Sequence, residues 1–199
     1  MSTRLVAIPQ GEILLLQLES DDRFPRLEMA VMDALEREMA GLAAAPEITG
    51  AVITGSERAF AAGAEIAEVA RLTPSVALAF SRRGQQVLGR IASSAKPLVA
   101  AIGGYCIGGG LDLALACRAR VATDDAVFAH SGVTLGIITG WGGTQRLPRL
   151  IGRGRALEML VTGGRIRASE ALTWGLVSNV SADSDLISEA IRLARDLAR

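Results

Sequence analysis

The sequence has a single histidine, His130, and only two cysteines, Cys106 and Cys117, among 199 residues. A centre built from nitrogen and sulfur ligands has too few candidates, so no metal is expected. Both cysteines flank a glycine loop inside apolar sequence, where an unpaired thiol behaves as a small hydrophobe; they read as inert and buried, in keeping with a reducing cytoplasm. Charge of one sign is lacking too. Lys plus Arg and Asp plus Glu number 21 each, the formal net charge is zero, and neither sign gathers into a block. Nucleic acid and anionic membranes are therefore not expected as partners. The N-terminus has no basic start leading into an apolar stretch with a cleavage site, and "LVAAIGGYCIGGGL" is too short and glycine-rich to span a bilayer, which predicts neither export nor an anchor. No G-x-x-x-x-G-K-[ST] occurs, and no G-x-G-x-x-G follows a candidate strand, so the P-loop and dinucleotide fingerprints both fail.

What the chain does contain is apolar sequence, at 50% of its residues, enough for one substantial core spanning 1–199. "EILLLQLES" reads as a strand, and residues 26–43 place Leu27, Val31, Leu35, Met39 and Leu42 at the spacings of an amphipathic helix. A strand "GAVITG" follows, then a small-residue loop and a second helical stretch, a helix over 75–93, a buried strand "KPLVAAIGG", and a helix over 111–117. The pattern returns as strand, turn, strand, glycine loop and basic helix start over "ARVATDDAVFAHSGVTLGIITGWGGTQRLPRLIG", with two or more helices closing residues 154–199. Strands alternating with helices predict an α/β fold with mostly parallel strands.

Two segments, "AAGAEI" and "GGGLDL", each run from a strand through small residues into a helix start. There the first N–H groups have no intrahelical partner and the dipole favours negative charge. Aimed at one point, two such starts make a two-donor oxyanion hole, and small side chains let a planar carbonyl compound approach the backbone. Tight turns that merely pack helix on sheet remain the alternative for either loop taken alone.

"AFAAGAEI" (59–66), "KPLVAAIGGYCIGGGLDLALAC" (96–117) and "LGIITGWGGTQRLPRLIG" (135–152) closely resemble the three signature stretches of the crotonase family, the enoyl-CoA hydratase and isomerase proteins; with "TGGRIRASEALTWGLV" (162–177) the resemblance covers almost the whole chain. It implies a spiral of ββα units, an acyl-CoA thioester as ligand, and an enolate held by the N–H groups of Ala64 and Gly109. No cofactor is implied beyond the CoA of the substrate. The backbone around Ala62, Gly63 and Ile66 is implied to hold the adenine, with Arg23 and Arg26 near the diphosphate region. The chain stops soon after "GLV", short of the C-terminal helices that in the family cover the active site and build trimers; a homo-oligomer is still expected.

Two positions depart from the pattern. Family hydratases resemble one another in carrying a glutamate two residues after "GGG" and a second before "LG"; here these positions hold Asp112 and Gly132. Two carboxylates suit hydration, one taking a proton from water while the other protonates carbon. Isomerases of the family, with a single acid, usually keep the second position. Asp112 reads either as a proton-transfer group or as an acid favoured by the helix dipole. His130 would share a face with position 132 on an extended segment, and reads either as a stand-in or as a hydrogen-bonded structural histidine. Trp141 reads as acyl-pocket lining or as core, and Arg146 and Arg149 as phosphate contacts or as a solvated helix face. Two functions follow: an acyl-CoA enzyme of hydratase or isomerase type, or a non-catalytic member that binds acyl-CoA or a partner subunit.

Overall fold

A computed structural model describes residues 2–199. Six strands form the larger sheet: β1 (Thr3–Gln10), β2 (Ile13–Ser20), β3 (Gly50–Thr54), β5 (Leu98–Ile102), β7 (Ala119–Thr123) and β10 (Asn179–Ser181). They lie in the order β1-β2-β3-β5-β7-β10, antiparallel only between β1 and β2. Every residue of β3, β5 and β7 is buried. Short runs rich in small and β-branched residues suit strands covered on both faces.

The alternation within β2 shows what covers them. Leu16 and Leu18 join the core beneath helices α1 (Met29–Ala44), α3 (Pro74–Ala92) and α4 (Gly109–Ala116). Ile13 and Leu15 point the other way, into a smaller cluster with Leu186, Ala190 and Ala194 of α8 (Leu186–Ala198).

Each central strand is followed by a short strand of a second sheet: β4 (Ala59–Ala61), β6 (Tyr105–Ile107) and β8 (Val127–Ala129), joined at its edge by β9 (Ile166–Arg167). Tyr105 pairs with both Ala59 and Val127, so the short strands stack in parallel as the chain advances. Helices then close each turn: α2 (Ile66–Val69) and α3 after β4, α4 after β6, and α5 (Gly143–Ile151) after β8. The product is a spiral of ββα units, finished by α6 (Arg153–Thr162), α7 (Ala168–Thr173) and α8.

Helix α1 starts later than the periodicity of residues 26–43 predicts. Leu27 is recruited instead into a bridge with the first glycine loop, donating its N–H to the Gly63 carbonyl at 2.8 Å. Tertiary pairing here overrides helix extension and ties α1 to the site. A second tie is steric: a β-carbon at Gly84 of α3 would overlap the pyrrole ring of Trp141. Gly84→Ala is therefore expected to lose about 1–3 kcal/mol of stability by overpacking, read as a lowered midpoint in chemical denaturation.

Candidate active site

The two glycine loops emerge side by side because β4 and β6 are paired. Gly108 adopts φ +55°, ψ −118° and hydrogen-bonds through its N–H to the Ala129 carbonyl at 2.8 Å, so the chain turns sharply before α4 begins. Gly110 faces β4 so closely that a β-carbon there would overlap the carbonyl oxygen of Ala61. Side chains at these positions would hold the loops apart. Gly109 is the first residue of α4, and the N–H of Asp112 is the first to reach a helical carbonyl, that of Gly108 at 3.0 Å. Among the described residues no backbone carbonyl takes the N–H of Gly109 or of Ala64. A β-carbon on Gly109 would sit 3.3 Å from the Ala64 nitrogen, and one on Gly63 would sit 3.5 Å from the Gly109 nitrogen. The two free amides are thus neighbours, and both residues line one cavity of about 640 Å³.

Asp112 and His130 are the ionisable side chains lining that cavity among the described residues; Phe80, Leu72, Val133, Ile138, Trp141 and Leu160 make much of the rest apolar. Asp112, on the first turn of α4, is 1% exposed. Burial pushes its carboxyl up from the ordinary 3.8 to about 6, against the opposing pull of the Thr139 hydroxyl, the Arg146 charge and the Trp141 and Gly143 amides. Thr139 donates to Oδ2, whereas Oδ1 has no hydrogen-bond partner and lies 3.7 Å from His130 Nε2. Burial also depresses the imidazole, from 6.5 to about 4. A neutral ring beside an ionised carboxylate is the consequence near pH 7.

His130 and position 132 do not share a strand face. Strand β8 stops at Ala129, and Ser131–Leu135 forms a 3₁₀ turn closed by Gly136 at φ +71°. Both still line the cavity, His130 at the strand end and Gly132 within the turn. Nor is His130 a hydrogen-bonded structural residue, since neither ring nitrogen has a hydrogen-bond partner among the described residues.

The other sequence candidates divide. Trp141 is 3% exposed, packed on Phe80 at 5.3 Å between ring centroids, and part of the cavity wall, so it is at once core and cavity lining. Ala62, Gly63 and Ile66 line the cavity, and the Ala62 N–H is committed to the Pro25 carbonyl at 2.8 Å. Arg23 is not among the lining residues; exposed, it pairs with Glu57 at 3.5 Å. Arg26 pairs with Asp22 at 2.8 Å and Glu65 at 3.5 Å. Arg146 and Arg149 turn from the main cavity and line a polar depression of about 420 Å³ beside it. The sequence reading missed Thr139: its hydroxyl partner lies 27 residues away, and nothing local points to it.

The profile of the enoyl-CoA hydratase/isomerase family matches residues 10–199. Among solved structures, the enoyl-CoA hydratase of Bacillus anthracis is 33% identical at a TM-score of 0.91, over 100% of this chain and 77% of that one. An enoyl-CoA hydratase subunit of Geobacillus kaustophilus is 36% identical at a TM-score of 0.87, over 98% and 75%. The DspI protein of Pseudomonas aeruginosa is 30% identical at a TM-score of 0.93, over 98% and 74%. The fold is a crotonase-type α/β spiral, and the chain spans about three quarters of the length of these relatives. The chain belongs to the enoyl-CoA hydratase/isomerase (crotonase) family. Among the described residues no helix is long and apolar enough to cross a membrane.

Proposed function

We propose that the cavity binds an acyl-CoA thioester and moves a proton between carbons of its acyl chain. The thioester oxygen accepts hydrogen bonds from the Ala64 and Gly109 N–H groups, which oppose the negative charge that forms there when a neighbouring carbon is deprotonated. Asp112 is the base. Its carboxylate takes the proton from C2 of a 3-enoyl thioester, the electron pair spreads to the carbonyl oxygen and to C4, and the same carboxyl returns the proton to C4. The product is the conjugated 2-enoyl thioester, with no atom gained or lost and no cofactor beyond the CoA already on the substrate. The observation that supports this reading is the buried Asp112 lining the same cavity as Ala64 and Gly109, whose N–H groups have no backbone partner among the described residues.

Double-bond migration is favoured over hydration because Gly132 supplies no second acid, and His130, held neutral, is a weak base toward water. The acyl group is apolar: no Lys or Arg lines the cavity among the described residues, so a carboxylated chain would meet the Asp112 charge without a counterion. The test is turnover of straight-chain 3-enoyl-CoA, followed as growth of conjugated-thioester absorbance, alongside hydration of crotonyl-CoA. Growth that is lost in Asp112→Ala supports the proposal. Tight binding of the thioesters with neither reaction would contradict it and leave a binding protein.

A further inference from the structure

We propose that Thr139 is the positioning residue for Asp112: its hydroxyl tethers Oδ2 and so holds Oδ1 facing His130. This rests on the reading of Asp112 as the proton-transfer group. An aspartate sits one methylene closer to its helix than a glutamate, and a carboxyl displaced by about 1 Å from its working place can cost on the order of 100-fold in rate. Such a group needs a fixed orientation. Among the described residues Thr139 is the side chain that hydrogen-bonds Asp112; the main-chain amides of Trp141 and Gly143 also pull on the carboxyl, but no other side chain holds it, and Oδ1 is buried without a side-chain partner.

The tether is useful only if Thr139 is itself held. Its loop is pinned on both sides. Before it, the Ile137 N–H binds the Gly132 carbonyl at 3.0 Å. After it, Gln85 of α3 donates to the Gly140 carbonyl at 2.7 Å, and Arg146 of α5 donates to the Trp141 carbonyl at 2.9 Å. The indole of Trp141, wedged between Gly84 and Gly109, locks the next turn of chain to the helix that carries the free amide. A β-branched side chain on such a segment has little χ1 freedom. The hydroxyl therefore acts as a fixed post between the acid on α4 and the loop after β8. Charged and titratable groups near Asp112 are His130 at the end of β8, Arg146 on α5 and the buried thiol of Cys106 on β6. None of them repeats the hydroxyl's contact with Oδ2.

Thr139→Val keeps the shape and removes the donor; Thr139→Ser keeps the donor. Two readouts are taken on the full chain. The first is the carboxyl titration of Asp112 by ¹³C NMR without substrate, assigned by its loss in Asp112→Asn. Its midpoint is expected to rise by about half a pH unit or more in Thr139→Val, because a hydrogen bond to the charged form is lost, and to return toward the parent in Thr139→Ser. The second is turnover of 3-enoyl-CoA, where Thr139→Val is expected to lower kcat about 10- to 100-fold with little change in KM, as for a group that acts in the transition state. Parental titration and parental kcat in Thr139→Val, or a Thr139→Ser variant as impaired as Thr139→Val, would overturn the tether. Should the parent turn over no thioester, the proposed function fails, while the titration still decides whether Thr139 holds Asp112.

Discussion

Asp112→Asn is expected to silence proton transfer while making the folded protein more stable at pH 7. General acid–base groups contribute about 10²–10⁴-fold, and an amide of the same size can neither take nor return a proton. The stability effect follows from burial. The carboxyl of Asp112 titrates near 6 in the folded chain against an ordinary 3.8. A group whose folded value is raised contributes stability that is present below the unfolded value and lost as pH rises through the folded one. At pH 7 the buried carboxylate thus costs up to about 3 kcal/mol, taking about 1.4 kcal/mol per pH unit. His130 has the opposite sign, because its folded value of about 4 lies below 6.5. Its contribution is present above pH 6.5 and fades as pH falls toward 4. In the parent the two slopes oppose one another between pH 4 and 6.5, whereas in Asp112→Asn only the histidine slope survives. Thermal unfolding should show the variant melting above the parent at pH 7, with the advantage gone by pH 4. A variant less stable than the parent at pH 7 would contradict this account of the site. With Asp112 as base, kcat/KM of the parent should rise with pH through an apparent value near 6, a limb that Asp112→Asn lacks.

Removing the N–H of Gly109, by an ester bond in place of the peptide bond before residue 109, is expected to cost about 10²–10³ in kcat, the usual effect of deleting one oxyanion donor. Gly109 opens α4, so this N–H makes no helical hydrogen bond and the melting temperature should hardly move. The same ester before Gly110 removes the neighbouring amide and serves as the control, with turnover close to the parent's. Equal losses at both positions would mean a disturbed helix start rather than a missing donor.

Much of the fold is legible in the chain because its central strands are short runs rich in apolar residues, two of them bounded by glycine or proline. "GAVIT" and "LVAAI" carry no charged residue and lie buried, whereas "ARVAT" lies buried although it contains Arg120, whose guanidinium is taken up by the Leu176 and Cys117 carbonyls. Strand β1 is harder to see. "TRLVAIPQ" mixes Arg4 and Pro9 into an edge strand, where a proline is tolerated, and the two-residue turn Gly11–Glu12 is its clearest local signal. At the site, the glycine loops declare themselves, since consecutive glycines before an apolar helix imply a close approach to backbone. The contact between Asp112 and His130 does not, because it joins α4 to the end of β8 across the spiral. The step from strand to 3₁₀ turn at His130 also defeats simple alternation; Gly136, which closes that turn, is the residue that could have warned of it.

The central idea is that one oxygen atom sits between two main-chain amides. A crystal structure with a non-reactive 3-enoyl-CoA analogue tests it most directly. The carbonyl oxygen should lie about 2.7–3.1 Å from both the Ala64 and Gly109 nitrogens, with the acyl C2 facing Asp112. A carbonyl bound elsewhere in the cavity, or touching only one of those nitrogens, would contradict it.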